Sequence, residues 1–218
     1  MDKNIVIFDF DNTIVNSLDY WHKVIDCETF VAFGKPPFKD MKKYRGGVGN
    51  KQMALSFIKI TGLDITVEDV YNKWCELMEK YYLTKIKFVK GVKEYITKLK
   101  QEGKKLILAS ATEKALLEKL LKAYDLDVFE EIFTETSIGY PKLNPKFYQT
   151  LLKKIKAKPE QVVLFEDSFV AIKSATSIGI TSCALINHLN KGKKAEYQKM
   201  CKLVIKNYKS KKLDLLFA

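Results

Sequence analysis

Residues 5–11, IVIFDFD, decide the fold that we predict for this chain. The run from Asn4 to Phe10 is apolar and rich in β-branched residues, and two acidic residues, Asp9 and Asp11, stand at its end. A short continuous apolar run of this kind is typical of a parallel strand that is buried on both faces. We therefore expect both carboxylates at the edge of a sheet, where this first strand ends.

Further strands are predicted along the rest of the chain, most clearly at Lys105–Ala109 and Gln161–Phe165. Weaker candidates are Glu131–Thr134, Ile180–Leu185 and Lys202–Ile205. Helical periodicity precedes each of them, and alternating helices and strands imply right-handed crossovers. The predicted fold class is therefore α/β, with a doubly wound, Rossmann-like parallel sheet that carries helices on both faces.

The segment between the first and second strands is far longer than one crossover helix requires. It has a helical pattern in three parts, separated by Gly46-Gly47 and by Gly62: Asp19–Phe33, Lys51–Thr61 and Val67–Tyr82. We predict a small all-helical cap domain at 16–86, inserted into a core domain that consists of 1–15 and 87–218.

The charge of the chain limits the classes of partner that we expect. The formal net charge is +12, but nearly every positive side chain is a lysine and Arg45 is the only arginine. Sequence-reading nucleic-acid proteins rely on the planar guanidinium group, so nucleic acid is not the expected partner. The densest basic stretch, Lys191–Lys212, is either a solvated surface or a face that binds polyanions.

The remaining composition indicates a globular chain. Of its 218 residues 47% are hydrophobic and 29% are charged, which is ordinary for a soluble protein. The four cysteines contain no CxxC pair and lie far from the two histidines, which argues against a zinc site or a disulfide framework. The apolar run near the start is too short and too acidic for a signal peptide or a membrane span. We expect a cytoplasmic protein, with a monomer as the default.

Polar side chains follow the predicted strands at the points where these strands end. They are Asp9, Asp11, Ser110, Thr112, Glu166 and Asp167, and the loop before the later helix adds Lys142. Because ligands of doubly wound sheets bind beyond the carboxyl ends of the strands, we expect these groups to converge. Four carboxylates in one place repel each other, so a hard divalent cation with oxygen ligands is the natural compensation, and Mg²⁺ is predicted.

A phosphoryl group is the ligand that such a site would accept. Lys142 and Ser110 would neutralise and hydrogen-bond its oxygens, and the backbone amides after Asp9 would help to cradle it. A carboxylate oxygen would then be placed for in-line attack on phosphorus. Ser110 and Thr112 could each also cap the helix that begins near Glu113, and we assign Ser110 to phosphate and Thr112 to the cap.

Four motifs carry a resemblance to a known superfamily. DFDNTIV at 9–15 resembles the first motif, DxDx(T/V), of the haloacid dehalogenase superfamily. LILAS at 106–110 resembles the second motif, Lys142 within PKLNPKFY the third, and LFEDS at 164–168 the fourth. The resemblance covers essentially the whole chain. The insert stands where the subfamily of phosphoglycolate phosphatase-like enzymes and β-phosphoglucomutase has its helical cap.

The resemblance implies a role for each matching residue. Asp9 would be the nucleophile and a metal ligand, and Asp11 the acid for the leaving oxygen and then the base for the hydrolytic water. The Asp11 carbonyl and Asp167 would complete the protein ligands of Mg²⁺, with Glu166 assisting. The resemblance also places substrate contacts at Asn12, Ala111 and Arg45, the last of which lies in a cap turn, YRGGVG.

The resemblance leaves several activities open. The expected activity is hydrolysis of a small phosphate monoester, such as a sugar phosphate or phosphoglycolate. A mutase remains an alternative, although Trp21 stands where the mutase has a catalytic histidine after a tyrosine. Carbon-phosphorus cleavage by a cap lysine is a second alternative, and a polyanion-binding module with vestigial chemistry is a third. Asn12, where glycine is common, and Leu143, where proline is frequent, depart from the family pattern without threatening the mechanism.

Overall fold

The computed structural model describes residues 3–38 and 49–217. Its centre is one sheet of six strands, all paired in parallel, in the order β3-β2-β1-β4-β5-β6. The strands are β1 (Ile5–Phe8), β2 (Lys105–Ser110), β3 (Glu131–Thr134), β4 (Val162–Glu166), β5 (Thr181–Leu185) and β6 (Leu203–Ile205). All six lie within one or two residues of the segments predicted from the sequence, and the α/β fold class is confirmed.

Helices connect the strands and cover both faces of the sheet. Those in the described residues are α1 (Leu18–Lys23), α2 (Thr29–Ala32), α3 (Asn50–Thr61), α4 (Val67–Thr84), α5 (Val92–Gln101), α6 (Lys114–Ala123), α7 (Glu135–Ile138), α8 (Pro145–Lys154), α9 (Phe169–Thr176) and α10 (Lys194–Met200). Short 3₁₀ turns occur at Pro159–Gln161, Lys191–Lys193 and Leu213–Leu216.

The register of the central strands brings their carboxyl ends to one edge. Phe8 of β1 lies opposite Leu108 of β2 on one side and Phe165 of β4 on the other. The chain builds β2 and β3 on one side of β1 and then returns to build β4, β5 and β6 on the other. The strand order reverses between β1 and β4, and a crevice at this switch point is where doubly wound sheets bind ligands.

Successive residues of β1 pack into two separate apolar layers. Val6 and Phe8 join a cluster with helices α5 and α6, whereas Ile5 and Ile7 join a second cluster with helix α8. All four are buried, as expected for a strand with helices on both faces. This packing explains why the strand is a continuous apolar run rather than an alternating one.

The described part of the segment between β1 and β2 is helical and packs onto the first of these layers. Helices α3 and α4 bury residues such as Phe57 and Trp74 in the same cluster as Phe8. Gly62 ends α3 in a left-handed conformation, with φ of 64°. The chain leaves and rejoins the core side by side, because Asn16 N donates to Lys87 O at 2.8 Å.

The first helix of this segment differs from the uniform helix that the periodicity predicts. Between α1 and α2 the chain forms a π-helical turn, Val24–Glu28. The Thr29 hydroxyl donates to the Val24 carbonyl at 2.8 Å within this turn. A π turn inserts one residue into an otherwise α-helical stretch, so the side chains before and after it face different directions from those that a uniform period implies.

We predict that replacing Phe165 with alanine lowers the free energy of unfolding by about 3–5 kcal/mol, because a fully buried aromatic ring leaves a cavity. Its ring stacks on that of Phe8 with centroids 4.8 Å apart, and Phe165 is 0% exposed. Urea titration would measure the change. The control is Leu215→Ala, at a side chain that is 54% exposed, which should change the same free energy by less than about 0.5 kcal/mol. Equal effects of the two substitutions would contradict the packing described here.

Candidate active site

A buried ion-pair network lies at the carboxyl edge of β1, β2 and β4. Asp9 follows β1 directly, and its Oδ1 accepts a hydrogen bond of 2.5 Å from Lys142 Nζ. The same ammonium group donates to Glu166 Oε2 at 2.7 Å and to the Ala109 carbonyl at 3.3 Å. Asp9, Lys142 and Glu166 are all buried. One lysine therefore joins the ends of three neighbouring strands.

The loop after β4 supplies the second part of the site. Glu166 Oε1 accepts from the backbone amides of Asp167 and Ser168, at 3.1 and 2.9 Å. Asp167 Oδ2 accepts from Asn187 Nδ2 at 3.0 Å, and the Asp167 carbonyl accepts from the Tyr197 hydroxyl at 2.6 Å. These bonds fix both acidic side chains in the loop. Oxygens of Asp9, Glu166 and Asp167 all lie within 4.8 Å of one another.

The charges of this cluster do not balance. Three carboxylates face one ammonium group, so two negative charges remain if every group is ionised. Burial and repulsion from Glu166 raise the pKa of Asp9 well above its usual value, and the same two causes raise the pKa of Asp167 to about 8. Burial alone would lower the pKa of Lys142, but Asp9 and Glu166 hold it well above the usual range.

The donor set of this cluster suits a hard divalent cation. Carboxylate oxygens are the ligands that Mg²⁺ and Ca²⁺ prefer, and a doubly charged ion would offset the excess negative charge. Asp9 and Asp167 were both predicted as metal ligands, and they lie close enough to share one ion. Glu166 is already bonded to Lys142 and to two amides, so its oxygens are the most engaged of the three. Its assignment as a ligand remains a prediction.

The carboxylate of Asp11 lies outside this group of three and accepts hydrogen bonds from a different set of residues. Its Oδ1 accepts from Ser17 Oγ at 2.5 Å, from Trp21 Nε1 at 3.0 Å and from the Tyr82 hydroxyl. Its Oδ2 accepts from Thr112 Oγ1 at 2.7 Å. The side chain is therefore held between the core and the helices inserted after β1. The predicted metal contact of Asp11 concerns its backbone carbonyl and remains a prediction.

The end of β2 is arranged differently from one sequence-based expectation. The structure places Glu113, not Thr112, at the N-cap of helix α6, and that cap makes no side-chain hydrogen bond. The prediction that Thr112 caps this helix is wrong, because its hydroxyl donates to Asp11 instead. Ser110 is buried, and its Oγ accepts from the Thr112 amide at 3.1 Å. This bond leaves the Ser110 hydroxyl proton to serve as a donor.

The predicted substrate contacts are only partly described. Asn12 lines the cavity in front of Asp9 and adopts φ of 54°, the left-handed conformation that asparagine tolerates. Its backbone N–H donates to Val15 O at 2.6 Å and its side-chain Oδ1 accepts from Leu18 N, so both groups already stabilise the turn. Ala111 also lines the cavity. Arg45 lies outside the described residues. Contact of these three residues with a substrate remains a prediction.

The cavity that contains Asp9 has a volume of about 480 Å³. Its lining includes the acidic cluster and Lys142. The segment inserted after β1 contributes Leu18, Gly49 and Asn50, and the loop after β5 contributes Asn187, Leu189 and Lys193. Asn50 Nδ2 donates to the Ala111 carbonyl at 2.9 Å, so helix α3 begins directly beside the end of β2. The cavity is therefore bounded by core and insert together.

Three residues that sequence reasoning did not place in the site contribute polar groups to it: Trp21, Tyr82 and Asn187. Trp21 and Tyr82 each lie in a helical segment whose aromatic residues recur at helical spacing. This spacing favours a packing role, and both rings do pack in the apolar layer. Only the positions of their polar atoms, next to Asp11, distinguish them. Asn187 follows the predicted strand β5, and a search for polar residues just past that strand could have found it.

The fold and the site define an α/β enzyme that acts at the carboxyl edge of a doubly wound sheet. Residues 6–185 match the family model described as "Haloacid dehalogenase-like hydrolase", and the chain belongs to this family. The resemblance of the four motifs is thereby confirmed. Within the described residues, no helix is both long and apolar enough to cross a membrane.

Two relatives and one solved structure are similar to this chain along most of their length. The phosphorylated carbohydrates phosphatase of Thermotoga maritima is 24% identical over 196 residues, which is 86% of this chain and 88% of that protein. The phosphoglycolate phosphatase of Psychrobacter arcticus is 23% identical over 202 residues, covering 88% and 87%. The crystal structure of CbbY from Rhodobacter sphaeroides in complex with phosphate has a TM-score of 0.79 at 20% identity and covers 95% of each chain. These relatives support the predicted enzyme class, a phosphatase of this family.

The charge balance of the site predicts that a divalent cation stabilises the fold. Without a cation, carboxyls with a raised pKa keep protons that the unfolded chain has already lost, so stability falls as the pH rises from about 4 towards 8. Mg²⁺ must displace these protons. At a fixed Mg²⁺ concentration its stabilisation should therefore increase from pH 6 to pH 8, reaching about 2.7 kcal/mol when that concentration is 100 times the Kd at pH 8. Thermal unfolding with and without Mg²⁺ would measure it.

The matched variants for this measurement are Asp167→Asn and Asp127→Asn. Asp127 is exposed and precedes β3, so it lies near the amino ends of the parallel strands, away from the site at their carboxyl ends. We expect Asp167→Asn to remove most of the stabilisation by Mg²⁺ and Asp127→Asn to retain it. A cation effect of the same size in both variants would refute the assignment of the cluster.

Proposed function

We propose that this protein is a Mg²⁺-dependent phosphohydrolase that acts on a small phosphate monoester through an aspartyl-phosphate intermediate. The observation that carries the proposal is the buried contact of Lys142 with Asp9 and Glu166 beside Asp167. A carboxylate at a strand end, a cation site and a fixed ammonium group are the three elements that phosphoryl transfer to a carboxylate requires.

The first displacement would transfer the phosphoryl group to Asp9. A carboxylate oxygen of Asp9 attacks phosphorus, and the bond from phosphorus to the leaving oxygen breaks. Lys142 offsets the charge on the phosphoryl oxygens, and the Ser110 hydroxyl donates a hydrogen bond to one of them. Because Lys142 is held on both sides by carboxylates, it needs little reorganisation to take this position. When bound, Mg²⁺ supplies further charge neutralisation at the phosphoryl group.

Asp11 would move the proton in both displacements. It gives a proton to the leaving oxygen in the first step, which releases the alcohol. In the second step it takes a proton from water, which attacks the phosphorus of the acyl phosphate and releases Asp9 and inorganic phosphate. The side chain lies two residues beyond the nucleophile and is held by four donors. One carboxyl can serve both steps because the second proton transfer reverses the first.

We further propose that residues 16–86 form a cap on the core of 1–15 and 87–218. The two chain crossings support these boundaries, since Val15 pairs with Phe88 and Val89 N donates to Ile14 O at 2.8 Å. Helix α3 meets the core at Ala111 through Asn50. A cap in this position would exclude water during the first displacement and would select the leaving group.

A small phosphorylated metabolite is the substrate class that we propose. The cavity volume of about 480 Å³ suits a small molecule, and it contains Lys142 and Lys193 beside the acidic cluster. The relatives point the same way, because their names refer to phosphorylated carbohydrates and to phosphoglycolate.

A sugar phosphomutase is the first alternative, and one contact argues against it. An indole N–H is a donor only, so Trp21 cannot pass a proton as a histidine can. In this chain that N–H donates to Asp11. The second alternative, carbon-phosphorus cleavage, needs a cap lysine near the substrate. Among the described residues, the lysines that line the cavity are Lys142 and Lys193, both outside the proposed cap. Lys42 and Lys43 lie outside the described part of the chain, so borohydride trapping with phosphonoacetaldehyde is the test.

We expect Asp9→Asn to lower phosphate release by at least about 10⁴-fold, because the amide cannot form the acyl phosphate. The wild-type enzyme, quenched in acid during turnover, should carry a phosphoryl group on Asp9 that peptide mass spectrometry detects and hydroxylamine removes. Asp127→Asn should retain both activity and labelling. Full activity of Asp9→Asn, or a phosphoryl group on another residue, would refute the covalent route.

The products should distinguish hydrolase from mutase. With a panel of sugar phosphates and phosphoglycolate in the presence of Mg²⁺, we expect one inorganic phosphate for each substrate consumed. A hexose 1-phosphate with its bisphosphate should follow the same stoichiometry. Isomerised sugar phosphate without release of inorganic phosphate would show that a sugar hydroxyl, not water, accepts the phosphoryl group.

A further inference from the structure

The hydrogen bonds to Asp11 come from two parts of the chain. Thr112 follows β2, whereas the other three donors lie in the segment inserted after β1. Of these three, Ser17 lies at the start of the segment, and Trp21 and Tyr82 lie on helices α1 and α4. The two aromatic side chains are 61 positions apart, yet both polar groups reach the same carboxylate oxygen. Packing alone does not require this, because a ring can be buried with its polar atom directed elsewhere.

Trp21, Tyr82 and Asp11 form a closed triangle. Trp21 Nε1 lies 2.9 Å from the Tyr82 hydroxyl oxygen and 3.0 Å from Asp11 Oδ1, and the Tyr82 hydroxyl donates to the same Oδ1. Tyr82 is 1% exposed, and its ring packs against Phe10 with centroids 5.6 Å apart. Asp11 and Trp21 are partly buried, so the network is shielded on the side of Tyr82, where a group that leaves it loses its partner with little access to water.

The triangle also distinguishes the two oxygens of Asp11. Among the described residues, Oδ1 receives three donors, which fills the lone-pair sites of a carboxylate oxygen, whereas Oδ2 receives one hydrogen bond, from Thr112. Oδ2 therefore keeps acceptor capacity that Oδ1 has lost. The donors from the insert hold the carboxylate so that one oxygen is anchored and the other remains available.

We propose that Trp21 and Tyr82 are positioning residues that hold Asp11 for proton exchange through Oδ2. The inference rests on the proposed function, which assigns proton transfer to Asp11. It adds that the orientation of this carboxyl depends on two donors on the inserted helices, so the proton-transfer group is complete only while helices α1 and α4 are docked. Neither residue touches the phosphoryl group in this scheme, and both act through Asp11.

Leaving-group dependence separates this role from general damage. An alkyl phosphate needs a proton on its leaving oxygen, whereas 2,4-dinitrophenyl phosphate does not. We expect Tyr82→Phe and Trp21→Phe to lower kcat/KM for an alkyl phosphate by about 10- to 100-fold. For the dinitrophenyl ester the change should stay within about threefold. The ratio kcat/KM is used because it reports on transfer to Asp9 and not on the later attack by water.

Two variants on the same helical insert serve as controls. Tyr81→Phe removes the neighbouring hydroxyl, which donates to Glu28 instead of Asp11. Trp74→Phe removes an indole N–H that is buried and has no hydrogen-bond partner in the part of the chain that the structure describes. Both should retain wild-type ratios between the two substrates. Equal losses for both substrates in Tyr82→Phe and Trp21→Phe, or losses matched by the controls, would overturn the proposal.

A spectroscopic measurement tests the contact without turnover. The chain has two tryptophans, so its ¹⁵N-labelled form shows two indole N–H resonances, which Trp21→Phe assigns. We expect Asp11→Ala to shift the Trp21 resonance and to speed its hydrogen exchange while the Trp74 resonance keeps its position, which also shows that the variant folds. An unchanged Trp21 resonance would overturn the triangle. A wild-type protein without phosphatase activity would instead refute the proposed function and leave this contact to be judged by the spectra.

Discussion

The site depends on one constraint: two buried carboxylates and a third, partly buried one lie around a single buried ammonium group at the carboxyl edge of the sheet. Removing any partner of a buried ion pair leaves an uncompensated charge, so the position of Lys142 is tied to that of Asp9 and Glu166. The neighbouring carbonyl of Ala109 and the amides after Glu166 complete the hydrogen bonds that burial demands. The excess negative charge is the physical reason for which we propose a divalent cation at this site.

The sheet meets this constraint through its register. Phe8 is paired with Leu108 and with Phe165, so the residues that follow β1, β2 and β4 lie side by side at the carboxyl edge of the sheet. This part of the fold and the site could be predicted from the sequence, because buried parallel strands are continuous apolar runs and polar residues just past them are conspicuous. The same argument predicts that Asp9 and Asp167 lie together, whereas Lys142, in the loop before helix α8, is singled out only by its place in the ordered set of four motifs.

The parts that sequence reasoning missed share a physical cause. Trp21 and Tyr82 have a large apolar body and a small polar tip, and helical spacing reports only where the body goes. The direction of the tip depends on how helix α4 packs against α1, which is a tertiary feature. Thr112 illustrates the reverse case: as a helix cap its hydroxyl would accept a hydrogen bond, but in the structure it donates to the carboxylate of Asp11 and Glu113 takes the N-cap position.

The two chain crossings next to Asn16 and Lys87 have a consequence for how such proteins diversify. Because these residues are joined by a backbone hydrogen bond, the ends of the inserted segment lie close enough for a short turn to bridge them. The strands of the sheet and the buried charged side chains at their ends would then belong to one continuous chain without the insert. A lineage could exchange one helical module for another, and with it the choice of small molecule, while every strand of the sheet keeps its place.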